Sequence, residues 1–194
     1  MDDKYTPLTI ESLPQRLGVV SAITDQIGVE IRNWEVKEVG DGNLNLVFIV
    51  KGRKGIIVIK QALPYVRVVG EDWPLTLDRA YFEYNALLRQ EQRDEGIAPA
   101  VFYFNRNQAI IAMECLSDHQ ILRGMLIEGQ LVQGLADTIG KHCARLAFKG
   151  SDLFMETKNK KEDVCLFQKN HELMGITENL VFTDPYFNAE MNNN

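Results

Sequence analysis

The sequence predicts an α+β fold in which a mostly antiparallel, five-stranded sheet with one helix is followed by a helical region. Two runs rich in β-branched residues, 46–50 and 56–59, flank a five-residue connection with two glycines, a pattern typical of an antiparallel hairpin. Apolar residues recur at helical spacing from about residue 77 to residue 93, and two further strand-like runs follow. Strands that precede a run of helices in this way indicate the α+β class.

Composition and charge limit the function classes. At 194 residues and 45% hydrophobic composition, the chain is long enough to bury about 70% of its unfolded surface. The formal net charge of -6 gives no cationic field, so we expect neither nucleic acid nor membrane as a partner. No apolar run reaches the length of a membrane span and no signal-peptide pattern begins the chain, which predicts a cytoplasmic protein. The three cysteines lie far apart, so neither a disulfide framework nor a metal site is predicted.

The first part of the chain predicts a short helix and three antiparallel strands. We expect the helix over Ser12 to Leu17 and a half-buried strand from Trp34 to Val39 that runs into Gly40. The runs 46–50 and 56–59 complete this group of strands.

One long helix and a second strand pair come next. Pro74 and Thr76 are expected to open the helix near Leu77, and the helix is expected to end near Arg93. The remaining segments are predicted from their periodicity. They are strands over 97–104 and 109–113, an amphipathic helix over 131–148, and two helical pieces within 160–182 broken near Asn170 and Gly175.

The first candidate site is the glycine-containing turn between the first two strands. Its residues are Gly40, Asp41, Gly42, Asn43 and, where the next strand begins, Asn45. Such a loop can bring backbone N–H groups close to a triphosphate, because glycine permits close approach and positive φ. An ordinary Asp-Gly hairpin turn is the alternative.

The second candidate is an ion pair between a strand and a helix. Lys60 ends an apolar strand, and helical periodicity places Glu83 on the apolar face of the long helix. Because an unpaired carboxylate there would be costly, the two side chains are expected to pair and to position the ammonium for the phosphates of a nucleotide. In the alternative interpretation both side chains extend to solvent.

The third candidate is the end of the last strand, where Glu114, Cys115 and Leu116 leave the sheet. Three strands, a helix and two strands follow the order of the N-lobe of a protein-kinase-like fold, in which this segment is the hinge and its backbone reads the edge of adenine. We therefore predict an N-lobe over residues 1–114, and the hinge with the first helices of an incomplete C-lobe over residues 115–194. A plain strand end is the alternative.

Beside these features, the sequence resembles the methylthioribose kinases, members of the kinase-like superfamily that also includes choline and aminoglycoside kinases. The resemblance extends over most of the chain. It rests on the runs EVGDGNLN (38–45), KQALPYV (60–66) and GEDWPLTLDRA (70–80), and on shorter pieces within 113–117, 126–128 and 176–185.

The resemblance implies transfer of the γ-phosphoryl group of ATP, with Mg²⁺, to the 1-hydroxyl of S-methyl-5-thioribose in methionine salvage. It also implies that Asn45, Lys60 and the hinge residues contact ATP, and that Trp73 lies in a loop near the nucleotide. A homodimer is implied by the family alone.

Two departures from the family pattern bear on activity. The family has the motif Met-Glu-Asp-Leu at the positions of residues 113–116, and Cys115 replaces its aspartate. Because the backbone reads adenine there, we expect this replacement to have little effect on ATP affinity. The sequence contains neither the His-Gly-Asp motif, whose aspartate is the family's catalytic base, nor the later Asp-x-Glu that holds Mg²⁺. The catalytic, metal-binding and sugar-binding residues are therefore expected outside this chain, and the chain is predicted to carry the ATP-binding half.

Two other functions stay open from the sequence. The chain could be a non-catalytic nucleotide-binding remnant or a stand-alone interaction module. The alternative enzyme is another small-alcohol kinase of the same superfamily, and the run around Trp73 argues against it.

Overall fold

The computed structural model describes residues 4–40, 44–67 and 70–187. Its amino-terminal part combines short helices, two sheets and one long helix. In chain order these are α1 (Ser12–Leu17), α2 (Ser21–Ile27), a 3₁₀ turn (Ile31–Asn33), β1 (Glu35–Glu38), β2 (Asn45–Lys51), β3 (Ile56–Ala62), β4 (Tyr65–Val66), β5 (Gly70–Pro74), α3 (Arg79–Arg93), β6 (Val101–Asn105) and β7 (Ile110–Glu114).

The remainder of the described chain is helical. Its elements are α4 (Leu122–Ile127), α5 (Leu135–Lys149), α6 (Thr157–Phe167), α7 (His171–Glu178), a π-helical turn (Asn179–Thr183) and α8 (Asp184–Phe187). No helix of the described residues is both long and apolar enough to cross a membrane.

The main sheet has five strands in the order β1-β2-β3-β7-β6. All four neighbouring pairs are antiparallel, which confirms the predicted α+β class with its antiparallel five-stranded sheet. A second sheet, the β4–β5 hairpin, has two strands.

One face of the main sheet is covered by the amino-terminal helices. Phe48 and Ile59 stand opposite each other on β2 and β3 and are fully buried. Ile23 and Ile27 of α2, one helical turn apart, are also fully buried in the same cluster. Because successive side chains of a strand point to opposite faces, this packing leaves the other face of β2, β3 and β7 for the candidate site.

Gln61 connects the amino-terminal segment to β3 beside the candidate lysine. Its side chain is fully buried. Its Oε1 accepts from the Leu8 N–H at 2.7 Å, and its Nε2 donates to the carbonyls of Thr6 and Gln108 at 3.0 and 2.9 Å. A buried amide with three such bonds is fully compensated for its desolvation, so the register of β3 is fixed next to the site.

Ion pairs fasten the carboxy-terminal helices to the end of α3. Asp94, which follows α3, pairs with His142 Nδ1 at 2.9 Å and with Arg145 at 2.7 Å, both on α5. The hydrogen bond from His142, together with Arg145, lowers the pKa of Asp94. Asp163 of α6 accepts from Arg89 of α3 at 3.0 Å. The carboxy-terminal half of α3 is therefore the attachment site for α5 and α6.

Two predicted helix starts are wrong. Pro74 does not open the long helix but ends β5, and α3 begins at Arg79. Just before α3, the Asp78 N–H donates to Thr76 Oγ1 at 3.2 Å. The helix predicted from residue 131 begins only at Leu135, because Gly134 has a φ of 74° and stands outside the helical region.

Other differences arise from weak local signals. The strand predicted from residue 97 begins at Val101, after Pro99, which has no N–H to give to a ladder. The predicted break at Gly175 is absent, since Gly175 lies inside α7, whereas the break at Asn170 is confirmed. The predictions omit α2, α4 and the β4–β5 hairpin, and Trp73 lies in β5 rather than in a loop.

Tyr5 connects the amino-terminal segment to the end of β3, and its pKa is raised. Its hydroxyl donates to the Ala62 carbonyl at 2.9 Å. Burial, and after it the neighbouring Tyr65, raises the pKa of Tyr5 to about 12, against the opposing effect of two arginines. Because this pKa lies above the ordinary value of about 10, the protonated phenol stabilises the fold, and that stabilisation is complete below pH 10 and lost as the pH rises towards 12.

Replacing Tyr5 with phenylalanine should therefore reduce the alkaline loss of stability. We expect the free energy of unfolding, measured with urea at pH 8 and pH 11.5, to fall less in Tyr5→Phe than in the unmodified chain. Tyr186→Phe, at a side chain that is 73% exposed, is the matched control and should keep the full loss. Equal losses in all three proteins would contradict the assignment to Tyr5.

Candidate functional site

The candidate site lies on the face of the main sheet that the amino-terminal helices leave uncovered. In the register of the ladders, Val47 of β2 stands opposite Lys60 of β3, and Lys60 stands opposite Ile111 of β7. Val58 is likewise opposite Met113. Directly opposed residues share a face, so Lys60 stands among apolar side chains of the neighbouring strands.

Lys60 and Glu83 form the predicted ion pair. The distance between Lys60 Nζ and Glu83 Oε1 is 2.6 Å, and the two side chains are 26% and 33% exposed. Tyr84, the residue after Glu83 on α3, stacks on Phe104 of β6 with ring centroids 4.4 Å apart, which fixes the helix over the sheet. Because the pair is partly exposed, we expect it to stabilise the fold by about 1 kcal/mol, below the 3 to 5 kcal/mol cost of breaking a fully buried pair.

The structure describes the two ends of the glycine turn. Gly40 is an exposed turn residue at the end of the first strand, and Asn45 is the half-buried first residue of β2. Asp41, Gly42 and Asn43 lie outside the described residues, so their predicted role in holding phosphates stays a prediction.

Arg79 is a site residue that the sequence reasoning missed. Its guanidinium is buried, with 6% exposure, and it donates to Asn45 Oδ1 at 3.4 Å and to the Leu44 carbonyl. Desolvation lowers the pKa of Arg79, and the through-space charge of Glu83 opposes that effect. The available signal was the four-residue spacing between Arg79 and Glu83, which places both charges on one face of a helix.

The β4–β5 hairpin is linked to the end of β1. Arg67, just after β4, forms an ion pair with Glu38 at 2.8 Å, and Glu38 precedes the turn by two residues. Trp73 lies in β5 and is 37% exposed, so an indole surface is available on this hairpin. The structure thus links the hairpin to β1, whereas contact between Trp73 and a nucleotide stays a prediction.

The predicted hinge begins at Glu114, the last residue of β7. The Glu114 N–H donates to the Ala100 carbonyl at 2.8 Å, and the Glu114 carboxylate accepts from the Ala100 N–H at 3.1 Å. The N–H groups of Cys115 and Leu116 donate to no other residue that the structure describes, so they are the donors available to a flat heterocycle. Cys115 is half-buried and burial raises the pKa of its thiol, while Leu116 is 44% exposed.

The described residues do not supply a metal centre. Across residues 4–40, 44–67 and 70–187, no group of three or more His, Cys, Asp or Glu side chains could hold a metal ion. Mg²⁺ in nucleotide sites is held by one or two carboxylates together with phosphates and water, so this finding concerns only a site built from protein side chains alone.

The arrangement suits binding of a ligand that is anionic at one end and flat at the other. A lysine held by a carboxylate offers a fixed positive charge for phosphates. Apolar side chains and free backbone donors at the strand end offer a surface and a hydrogen-bonding edge for a heterocycle. Lys60 lies on β3, and the hinge donors follow the end of β7, the strand adjacent to β3.

Comparison with known proteins gives one consistent result. The chain is 47% identical over 191 residues to a protein from Escherichia coli named methylthioribose kinase. It is 47% identical over 195 residues to a Geobacillus protein of the same name, and 39% identical over 189 residues to methylthioribose kinase 1 of Oryza sativa. Each similarity covers 97% of this chain but only 44–46% of the relative, so the chain spans less than half the length of these curated relatives. No protein-family model matches the chain.

Proposed function

Because the chain belongs to the methylthioribose kinase family, we propose that it forms the ATP-binding part of a kinase that phosphorylates S-methyl-5-thioribose at its 1-hydroxyl in methionine salvage. The observation that carries this proposal is the 2.6 Å ion pair between Lys60 and Glu83 on the open face of the sheet. Resemblance in sequence supports the family, and the ion pair supports a phosphate-binding role for this part of it.

In this proposal the nucleotide lies along the open face. The Lys60 ammonium binds the α- and β-phosphates, and the glycine turn from Gly40 to Asn45 covers them. The adenine edge is read by the backbone at Glu114, Cys115 and Leu116, and Trp73 borders the nucleotide from the β4–β5 hairpin. The proposed N-lobe covers residues 1–114, and the hinge with the first C-lobe helices covers residues 115–194.

Phosphoryl transfer also needs groups other than those of the proposed ATP site. Phosphoryl transfer needs a group that orients the attacking hydroxyl and metal ions that neutralise the phosphates. Because the sequence contains neither a His-Gly-Asp nor an Asp-x-Glu motif, we assign to this chain only the binding and orientation of ATP. The base, the Mg²⁺ ligands and the sugar-binding residues are proposed to lie outside it.

Two measurements test the proposal. Isothermal titration calorimetry of the purified chain with ATP should give saturable binding, and absence of binding would contradict the assignment. ATP-dependent phosphorylation of S-methyl-5-thioribose, with Lys60→Met as control, should give no turnover from this chain alone. Turnover that the Lys60 variant loses would mean that a base and a metal site exist within these residues.

A second candidate, a nucleotide-binding module without catalysis, is favoured by neither the sequence resemblance nor the surface. Large apolar side chains are exposed along the carboxy-terminal helices, among them Leu131 at 96%, Ile127 at 78% and Phe182 at 68%. Exposed apolar patches of this kind mark unfinished interfaces or aggregation sites. A soluble chain that melts cooperatively would favour the stand-alone module, and aggregation would favour part of a larger kinase.

The cysteine at the hinge should affect ATP affinity little. Because the proposed adenine contacts at Cys115 use backbone groups, we expect Cys115→Asp to change the dissociation constant for ATP by less than about threefold, or 0.7 kcal/mol. Calorimetry with ATP provides the measurement. A gain of tenfold or more in the aspartate variant would show that the side chain takes part in binding.

A further inference from the structure

Arg79 is a buried cation at the start of α3 whose hydrogen-bond acceptors are all uncharged oxygens. Its Nη1 donates to the Leu63 carbonyl at 2.5 Å and to the Thr76 carbonyl at 3.0 Å. Its Nη2 donates to the Leu44 carbonyl and, at 3.4 Å, to Asn45 Oδ1. One guanidinium therefore joins the start of β2, the end of β3 and the segment that leads into α3.

Burial makes an arginine at this position costly. Its side chain is 6% exposed, burial lowers its pKa, and its Nε has no hydrogen-bond partner among the described residues. No carboxylate of those residues lies within ion-pair distance of the guanidinium. Buried charges without an ionic partner are costly.

What Arg79 fixes is the separation between two parts of the candidate site. Leu44 is the residue at which the glycine turn enters β2, and Arg79 holds its carbonyl. Glu83 lies one helical turn beyond Arg79 on the same face of α3 and holds Lys60. Because the guanidinium donors lie in one rigid plane, α3 links the positions of Leu44 and Asn45 to that of the Lys60 ammonium.

We propose that Arg79 is a positioning residue for the triphosphate: it holds Leu44 and Asn45, at the start of β2, at a set distance from Lys60 and does not touch the ligand. This inference rests on the proposed function. The hinge at Cys115 and Leu116 has no contact with Arg79, so a change at Arg79 should weaken binding of the phosphates and leave binding of the adenosine part unchanged.

The test compares two ligands that differ only in their phosphates. Calorimetry with ATP and with adenosine is carried out on the unmodified chain and on Arg79→Lys, whose compact ammonium cannot bridge carbonyls on three segments. We expect the dissociation constant for ATP to rise about tenfold and that for adenosine to stay within about twofold. If Arg79→Lys does not melt cooperatively, Arg79→Gln, which keeps two N–H donors, takes its place.

Arg16 provides the matched control. Its guanidinium also donates to backbone carbonyls, those of Thr6 and Pro7 at 2.9 and 3.2 Å. These carbonyls belong to the amino-terminal segment and not to the candidate site. Arg16→Lys should lower the melting temperature and leave the ratio of the two dissociation constants unchanged.

Each other result has a definite meaning. An unchanged ratio in a folded Arg79 variant, or an equal loss for ATP and adenosine, would overturn the positioning role while the proposed function stands. Failure of both Arg79 variants to fold would assign the residue to stability and overturn the role as well. If the unmodified chain binds adenosine but not ATP, or binds neither, the proposed function is wrong and this inference is wrong with it.

Discussion

Replacing Lys60 with methionine is expected to raise the dissociation constant for ATP by roughly 10- to 100-fold. Methionine keeps the apolar stem beside Val47 and Ile111 but removes the ammonium that Glu83 holds at 2.6 Å. A hydrogen bond to a charged group contributes about 1.5 to 3 kcal/mol, which corresponds to that range of affinity. Calorimetry with ATP measures the change.

Two further variants separate binding from folding. Glu83→Gln leaves the ammonium in place with a weaker partner, so its effect on ATP affinity should be smaller than that of Lys60→Met. Lys54→Met removes an exposed charge from the β2–β3 connection and should have no effect. Because the ion pair is partly exposed, Lys60→Met should still melt cooperatively; unchanged ATP affinity in that folded variant would make the pair purely structural.

Replacing Gly52 with alanine is expected to lower the free energy of unfolding by about 2 kcal/mol or more. A Cβ at Gly52 would lie 1.9 Å from the Ile27 carbonyl oxygen and 3.0 Å from its Cβ. Ile27 is fully buried at the end of α2, so the added methyl group must displace α2 from the β2–β3 connection. Urea unfolding followed by the fluorescence of buried Trp34, whose Nε1 donates to the Gly28 carbonyl at 2.9 Å, measures the loss.

Gly140 is the matched control for this substitution. It lies within α5, and a Cβ there would meet no atom within 4 Å. Alanine at that position should therefore stabilise the chain by about 0.5 to 1 kcal/mol through its lower backbone entropy. A Gly52→Ala variant within about 0.5 kcal/mol of the unmodified chain would show that α2 can move away without cost.

The sheet and the long helix were predictable because their signals are local. The β-branched runs around Phe48 and Ile57 have the period of strands, and the apolar residues from Ala80 to Leu88 have the period of a helix. The pairing of Lys60 with Glu83 followed from the same periods, because both side chains had to lie on apolar faces and only a partner of opposite charge relieves that cost.

The missed elements depend on contacts between distant residues. The α2 segment Ser21–Ile27 is short, and its helical state depends on the packing of Ile23 and Ile27 under the sheet. The β4 strand has two residues and pairs with β5 through a register shift, which gives no period to read. Arg79 was missed for the same reason, since its acceptors at Leu44 and Leu63 come from segments far away in the sequence.

The two charges on α3 also constrain how the sequence can vary. Arg79 and Glu83 sit on one turn of one helix, and each sets the place of a different group on the sheet. A substitution that shifts α3 therefore changes the contacts of both residues. The effect of a substitution at one of them depends on which side chain is present at the other. Mutations at Arg79, Glu83 and Lys60 should consequently be strongly epistatic, with double-mutant effects on ATP affinity that depart from the sum of the single effects.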